Sequence, residues 1–338
     1  MGTGCPHDGL GLQVPATRGM REGLRFAAGG LEVGGVNKEG KLYALLATAR
    51  VANVPSVVSN LGVGVLLGSL DTGGDFSWPW GLMVAAVLFY VSGNFLNDGA
   101  DREWDMVNRP ERALPRELFA SRQYLGFACA GLAVGMILAS LHGWGAGIVS
   151  AALVGFIVLY TKVHKTTALG VFPMGLCRAC LPVLGYVAMR GSIAGAVIFS
   201  AVGLFVYIVA LSLSARWESK PDAEGKQHMS RSLLVLAGLI PALLPMMVMP
   251  LVGWIGMIAF FLWMGLCVTK YRSPVPAHVS ALLAGIPLVD WVTLLPMALI
   301  WMHLERVEAF DPMFSIAVFL PPAAFLLGRM LQRVAPAT

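Results

Sequence analysis

Long apolar runs alternate with short polar breaks along this chain. Ten such runs occur, at about 42–70, 79–97, 121–141, 144–160, 168–188, 193–215, 231–249, 251–269, 278–302 and 313–333. Each is close to the roughly 20 residues that a helix needs to cross a hydrocarbon core. None alternates with a period of two, so they predict helices and not barrel strands. The fold class expected is all-α, a polytopic transmembrane bundle of nine or ten spans. Met249-Pro250 is the weakest boundary, and merging the runs around it gives nine. The first run carries Pro55, which predicts a kink or a tilt there.

Composition supports this reading. The chain has 338 residues, 57% hydrophobic and 13% charged, where a soluble domain has about 25% charged. With the N-terminus placed in the cytoplasm, twenty Lys and Arg fall on the inner side and only Arg190 and Arg306 on the outer. That asymmetry predicts an inner-membrane, multi-pass protein with both termini inside and its charged face toward the cytoplasm. The net charge of +5 then reflects topology and the anionic inner leaflet, and no nucleic-acid partner is expected. Residues 1–40 are polar and Gly-rich, without an apolar signal-peptide core, and read as a disordered tail ahead of a membrane domain over 41–335. Cys177-x-x-Cys180 lies inside a span with no partner pair and reads as packing.

Charge concentrates in one place. "NFLNDGADREWDMVNRPERALP", Asn94 to Pro115, holds three Asp, two Glu and three Arg directly after the second run. Asn97, Asp101 and Asp105 are four apart and share one stripe if the helix continues beyond the membrane face. Like charges at that spacing repel by roughly 0.2–0.5 kcal/mol per pair, so a cation is expected between them. Hard oxygen ligands of this kind suit Mg²⁺, which binds one or two carboxylates together with waters and substrate phosphates. Asp98 is adjacent and faces elsewhere on a regular helix. Arg109 and Arg112 flank Pro110, and guanidinium groups hold phosphate oxygens two at a time.

The residue pattern "NDGADREWDMVNRPERALP" resembles the first aspartate-rich motif of the UbiA superfamily of intramembrane prenyltransferases. That motif runs N-D-x-x-D-x-x-x-D and then R-P-x-R-P-L-P. Asn97, Asp98, Asp101, Asp105, Arg109, Pro110, Arg112, Leu114 and Pro115 match it, while Ala113 stands where the family has a proline. The resemblance implies a helical bundle, usually of nine spans. It also implies Mg²⁺-dependent transfer of an isoprenyl group from an allylic diphosphate to a small-molecule acceptor, usually aromatic, in contact with membrane lipids. Arg50 and Asn53 in "ARVANVP" fit the family's first span. "LYTKVHK" resembles its Y-[ST]-x-x-K element through Tyr160 and Thr161, with Lys162 or Lys165 as the lysine. The segment "MGLCRACLPVLGY" is similar to UbiA-like proteins of the Ebo cluster type.

The family's second acidic motif, D-x-x-x-D, is represented by "SARWESKPDAEGKQ". Glu218 and Asp222 keep the spacing, but Pro221 between them costs a helix interior about 3 kcal/mol, and Glu224 is a spare acid. The resemblance implies metal ligands Asn97, Asp98, Asp101, Asp105, Glu218 and Asp222. It implies catalytic roles for Asp101, Asp105 and Lys162. It places Arg50, Asn53, Arg109, Arg112, Tyr160, Lys165 and Arg178 around the diphosphate. Arg178 and Asp290 each fall near the middle of a span, where a charge costs roughly 2.5–3.5 kcal/mol. Their similar depth makes an ion pair expected, as packing device or chamber wall. A second reading remains open, a non-catalytic protein of the same fold that binds or moves a lipid or isoprenoid metabolite.

Overall fold

A computed structural model of the chain describes residues 40–72, 77–165, 167–217, 224–305, 308 and 311–335. The expected disordered tail therefore lies outside the described residues, Gly40 apart, as do Glu218 and Asp222. The described part belongs to the unit Lys38–Thr338. It is helical, with no strand among the described residues. Ten of its helices are long and apolar enough to cross a membrane. The separate eighth span exists because Met249 is extended between two helices and Pro250 opens the second, where its missing N–H costs nothing.

The helices are α1 (Lys41–Thr48), α2 (Val54–Thr72), α3 (Trp80–Ala100), α4 (Arg102–Asn108), α5 (Ser121–Ser140), α6 (Trp144–Val163) and α7 (Val171–Arg190). Then follow α8 (Gly195–Trp217), α9 (Glu224–Val248), α10 (Pro250–Thr269), α11 (Val275–Ala284), α12 (Ile286–His303) and α13 (Pro312–Leu331). One core joins α8, α10, α11 and α12 through Tyr207, Phe260, Leu282 and Val289. A second joins α2, α3, α6 and α7 through Leu61, Phe89, Leu153 and Leu184. Ile137, Leu262 and Phe319 are exposed on outer faces, as a lipid-facing surface requires.

The first run departs from expectation. It is broken ahead of Pro55, at Arg50, whose φ of 48° and ψ of 50° lie in the left-handed region. A short 3-10 turn, Val51–Asn53, leads into α2. Pro55 falls in the first turn of α2, where its fixed φ fits the helix. Side chains of α3 brace the break. Asn94 Nδ2 donates to the Ala49 carbonyl at 3.2 Å, and the Tyr90 hydroxyl to the Arg50 carbonyl at 3.4 Å.

α2 and α7 touch backbone to backbone. A Cβ on Gly64 would lie 1.8 Å from the Pro182 carbonyl oxygen, and one on Gly185 would lie 2.4 Å from that of Leu61. Small residues permit such close crossings where lipid supplies no hydrophobic drive between helices. Gly185→Leu is expected to force the pair apart at a cost of about 1–3 kcal/mol or more. A fall in the thermal midpoint in detergent, absent in Gly155→Ala where a Cβ meets nothing, would show it.

Candidate active site

The helical ladder does not stop at the end of α3. The Asp101 N–H donates to the Asn97 carbonyl and the Asp105 N–H to the Asp101 carbonyl, both at 2.9 Å. The ladder therefore runs through Asp101 into α4, and Asn97, Asp101 and Asp105 keep one stripe. All three are buried, Asp105 to 1% exposure, and all three line a cavity of about 390 Å³. The expected cations are present as side chains. Lys165 Nζ lies 2.9 Å from Asp101 Oδ1, and His164 Nε2 3.1 Å from Asp101 Oδ2. Lys165 also sits 3.9 Å over the Trp104 ring. Arg112 Nη1 donates to Asp105 Oδ2 at 2.8 Å and to Asp98 Oδ1 at 3.1 Å.

Burial pushes the Asp101 carboxyl up, but the hydrogen bonds from His164 and Lys165 outweigh it and hold Asp101 below the usual carboxylate range. For Arg50, burial acts downward and the nearby Asp98 overrides it, so its guanidinium is stabilised further. Arg109 goes the other way. Burial, then Arg112, then Arg50 hold it below its ordinary value. Arg109 has no ion pair among the described residues, yet it lines the same cavity. Among the described residues Asp105 and Glu111 act on Arg109 only from beyond salt-bridge distance.

Several expectations need correction. Lys162 is exposed and off the cavity wall. Tyr160 and His164 share the inward face of α6, one turn apart, and Lys162 lies about 200° round the helix from Tyr160. The chain turns after Val163, and this brings Lys165 inward. His164 was not anticipated at all. Its signal was the i, i+4 spacing from Tyr160, whose ring it contacts at 4.9 Å between centroids. Asp98 does not join the stripe of Asn97, Asp101 and Asp105. It turns to Arg112 and Arg50, the latter 3.7 Å away, and anchors them.

Arg178 and Asp290 form no direct ion pair among the described residues. Asn60 stands between them, accepting from Arg178 Nη1 at 3.0 Å and donating to Asp290 Oδ2 at 2.8 Å. Arg178 makes its other contacts with Ser56 and the Tyr90 ring, and not with the acidic stripe. Arg50, Asn53, Arg112 and Tyr160 line the cavity.

No three His, Cys, Asp or Glu side chains among the described residues are gathered as a ready metal cluster. The residues still fit Mg²⁺. Asn97 Oδ1 and Asp105 Oδ1 are buried with no hydrogen-bond partner, and hard oxygens left bare in this way are ligand positions for a small divalent cation. Mg²⁺ takes few protein ligands and completes its shell with water and phosphate. Below this charged end the cavity is apolar, walled by Phe89, Leu153 and Leu181 from one core and Leu283 and Ile286 from the other.

Fold and cavity define a multi-pass membrane protein whose charged chamber opens into an apolar hollow among its helices. The chain matches the UbiA prenyltransferase family over residues 61–233 and belongs to that family. It is 24% identical to a digeranylgeranylglyceryl phosphate synthase of Pyrococcus horikoshii over 260 residues, 75% of this chain and 86% of the relative. A digeranylgeranylglyceryl phosphate synthase of Natronomonas pharaonis is 37% identical over 83 residues, 25% of this chain and 30% of that relative's length. The structure of a UbiA homolog from Archaeoglobus fulgidus shares the fold, with a TM-score of 0.51 and 11% identity over 85% of this chain and 98% of that one.

Arg112→Ala leaves the buried Asp105 carboxylate without its counterion and is expected to destabilise the protein by about 3 kcal/mol. Arg109→Ala removes no salt bridge among the described residues and is expected to stay within about 0.5 kcal/mol of wild type. Thermal unfolding of the two variants side by side checks the contrast.

Proposed function

We infer that the chain transfers an isoprenyl group from an allylic diphosphate to an acceptor held in the same cavity. One observation carries this reading. Two cavity-lining residues hold buried oxygens with no hydrogen-bond partner, Asp105 Oδ1 and Asn97 Oδ1, and Arg109 on the same cavity forms no salt bridge among the described residues. Such a site lacks a cation and an anion at once, and a divalent metal with a diphosphate supplies both.

Asn97, Asp101 and Asp105 are the residues that would hold Mg²⁺, which when bound would add positive charge beside the diphosphate oxygens. Arg109, with Lys165 and Arg50, donates hydrogen bonds to the same oxygens. These donors are fixed before reaction and act where negative charge grows as the C–O bond breaks, so they lower the barrier without reorganising. Arg112 stays engaged with Asp98 and Asp105 and orients the carboxylate. The apolar walls shield the allylic cation from water until the acceptor attacks and loses a proton. Glu218 and Asp222 remain candidates for a second metal. In the membrane this site faces the cytoplasm, with both termini inside.

The acceptor expected from the family resemblance is aromatic. The names of the relatives instead favour a glyceryl phosphate that already carries an isoprenyl ether. The relatives from Pyrococcus horikoshii and Natronomonas pharaonis both bear this activity in their names.

Purified protein in lipid, given Mg²⁺, labelled geranylgeranyl diphosphate and a C20 glyceryl phosphate monoether, is expected to release diphosphate and form the diether. Asp101→Ala should lower the rate at least about 100-fold. Lys165→Ala should raise KM for the diphosphate, while Lys162→Ala remains within a factor of about two. Mg²⁺-dependent binding of the diphosphate without turnover would instead support a carrier. Release unchanged in Asp101→Ala would remove the acidic stripe from the reaction.

A further inference from the structure

Arg178 lies about 10 Å along α7 from its start at Val171, inside the apolar part of the bundle. It is 8% exposed, and it lines the cavity. Its partners occupy one edge of the guanidinium only. Nη1 donates to Ser56 Oγ and to Asn60 Oδ1, each at 3.0 Å. The Tyr90 ring lies 5.1 Å from Cζ and supports the plane. Among the described residues, Nε and Nη2 have no acceptor. The sealed polar atoms without a partner include Asn97 Oδ1 and Asp105 Oδ1 but no atom of Arg178, so the vacant edge of the fork touches open space.

The orientation is enforced from behind. Asn60 has a cation on its carbonyl side and an anion on its amide side, which fixes the amide one way round. Its Nδ2 donates to Asp290 Oδ2 at 2.8 Å, and Ser59 Oγ donates to the same oxygen at 2.5 Å. Asp290 thus offsets the charge at a distance while leaving the outer edge of the guanidinium free. A side chain held from one edge, with its other N–H groups turned into a cavity in a low-dielectric bundle, is built to receive an oxyanion. It stands apart from the acidic stripe, which it does not contact.

We propose that Arg178, set by Ser56, Asn60 and Asp290, forms a second anion subsite that takes the phosphate head of the acceptor, separate from the diphosphate subsite at the mouth. This rests on the prenyl-transfer reading given above and changes the assignment of Arg178 from donor to acceptor. The division also has a physical use. Two phosphate-bearing lipids repel, and a separate cation deeper in the cavity lets both be bound at once.

The test is a pair of titrations on the full-length protein in lipid nanodiscs. One uses Mg²⁺ with an uncleavable geranylgeranyl thiolodiphosphate as donor. The other uses the C20 glyceryl phosphate monoether, with its dephosphorylated form beside it. Arg178→Gln and Arg178→Lys are both expected to weaken the monoether at least tenfold while donor affinity stays within twofold, which also shows that the variants are folded. The dephosphorylated ether should bind wild type as weakly as the phosphate form binds Arg178→Gln. Unchanged monoether affinity in both variants, or loss of donor and acceptor together in both, would overturn the subsite. So would equal binding of the two ethers by wild type. Failure of the donor to bind wild type would count against the diphosphate reading alone, and the monoether titration would still decide Arg178.

Discussion

Arg112 bridges Asp98 and Asp105, and the rest of the site depends on that bridge. Two carboxylates on one buried helical stretch repel in a medium of low polarity. A single guanidinium that reaches both converts the repulsion into a clamp. Because Arg112 sits past Pro110, the clamp also folds the loop back over α4. It consumes one oxygen of Asp105 and leaves the other bare. The loop is therefore tied down by the same residue whose engagement exposes a ligand atom. Arg50 adds to the tie through Asp98 and Asn94, joining the broken first span to α3.

The cavity lies along the seam between two apolar cores. Neither core closes it, because the helices of each bury their bulky residues against their own neighbours. Its charged end collects side chains from α3, α4, the stretch after α6 and the break before α2. Its apolar end is drawn from α3, α6, α7, α8, α11 and α12. Head and tail of an amphiphile can thus be met by different parts of the chain, with polar and apolar demands kept apart.

Much of this was legible in the residues. The spans follow from hydropathy alone, since a run of twenty apolar residues has few other fates. The Asn97–Asp101–Asp105 stripe follows from helical period. What escaped was anything set by how a helix ends. Whether Lys162 or Lys165 turns inward depends on the turn after Val163. Whether Asp98 faces metal or arginine depends on where Pro110 sends the loop. The break at Arg50 was hidden because Pro55 offered a simpler cause nearby, and a left-handed Arg has no signature. Asn60 was passed over between Arg178 and Asp290 because a neutral amide in an apolar run carries little signal until its two neighbours are known. Glu218 and Asp222, spaced as a motif, lie beyond the described residues.

The contact of α2 with α7 has a mechanical corollary. Where Gly64 meets the Pro182 carbonyl and Gly185 that of Leu61, the two helices have no side-chain cushion between them, and sliding or parting would open a void that lipid cannot fill. The pair behaves as a rigid joint within the bundle. Any opening of the bundle must then come at other seams, between helices whose interdigitated side chains can swing aside.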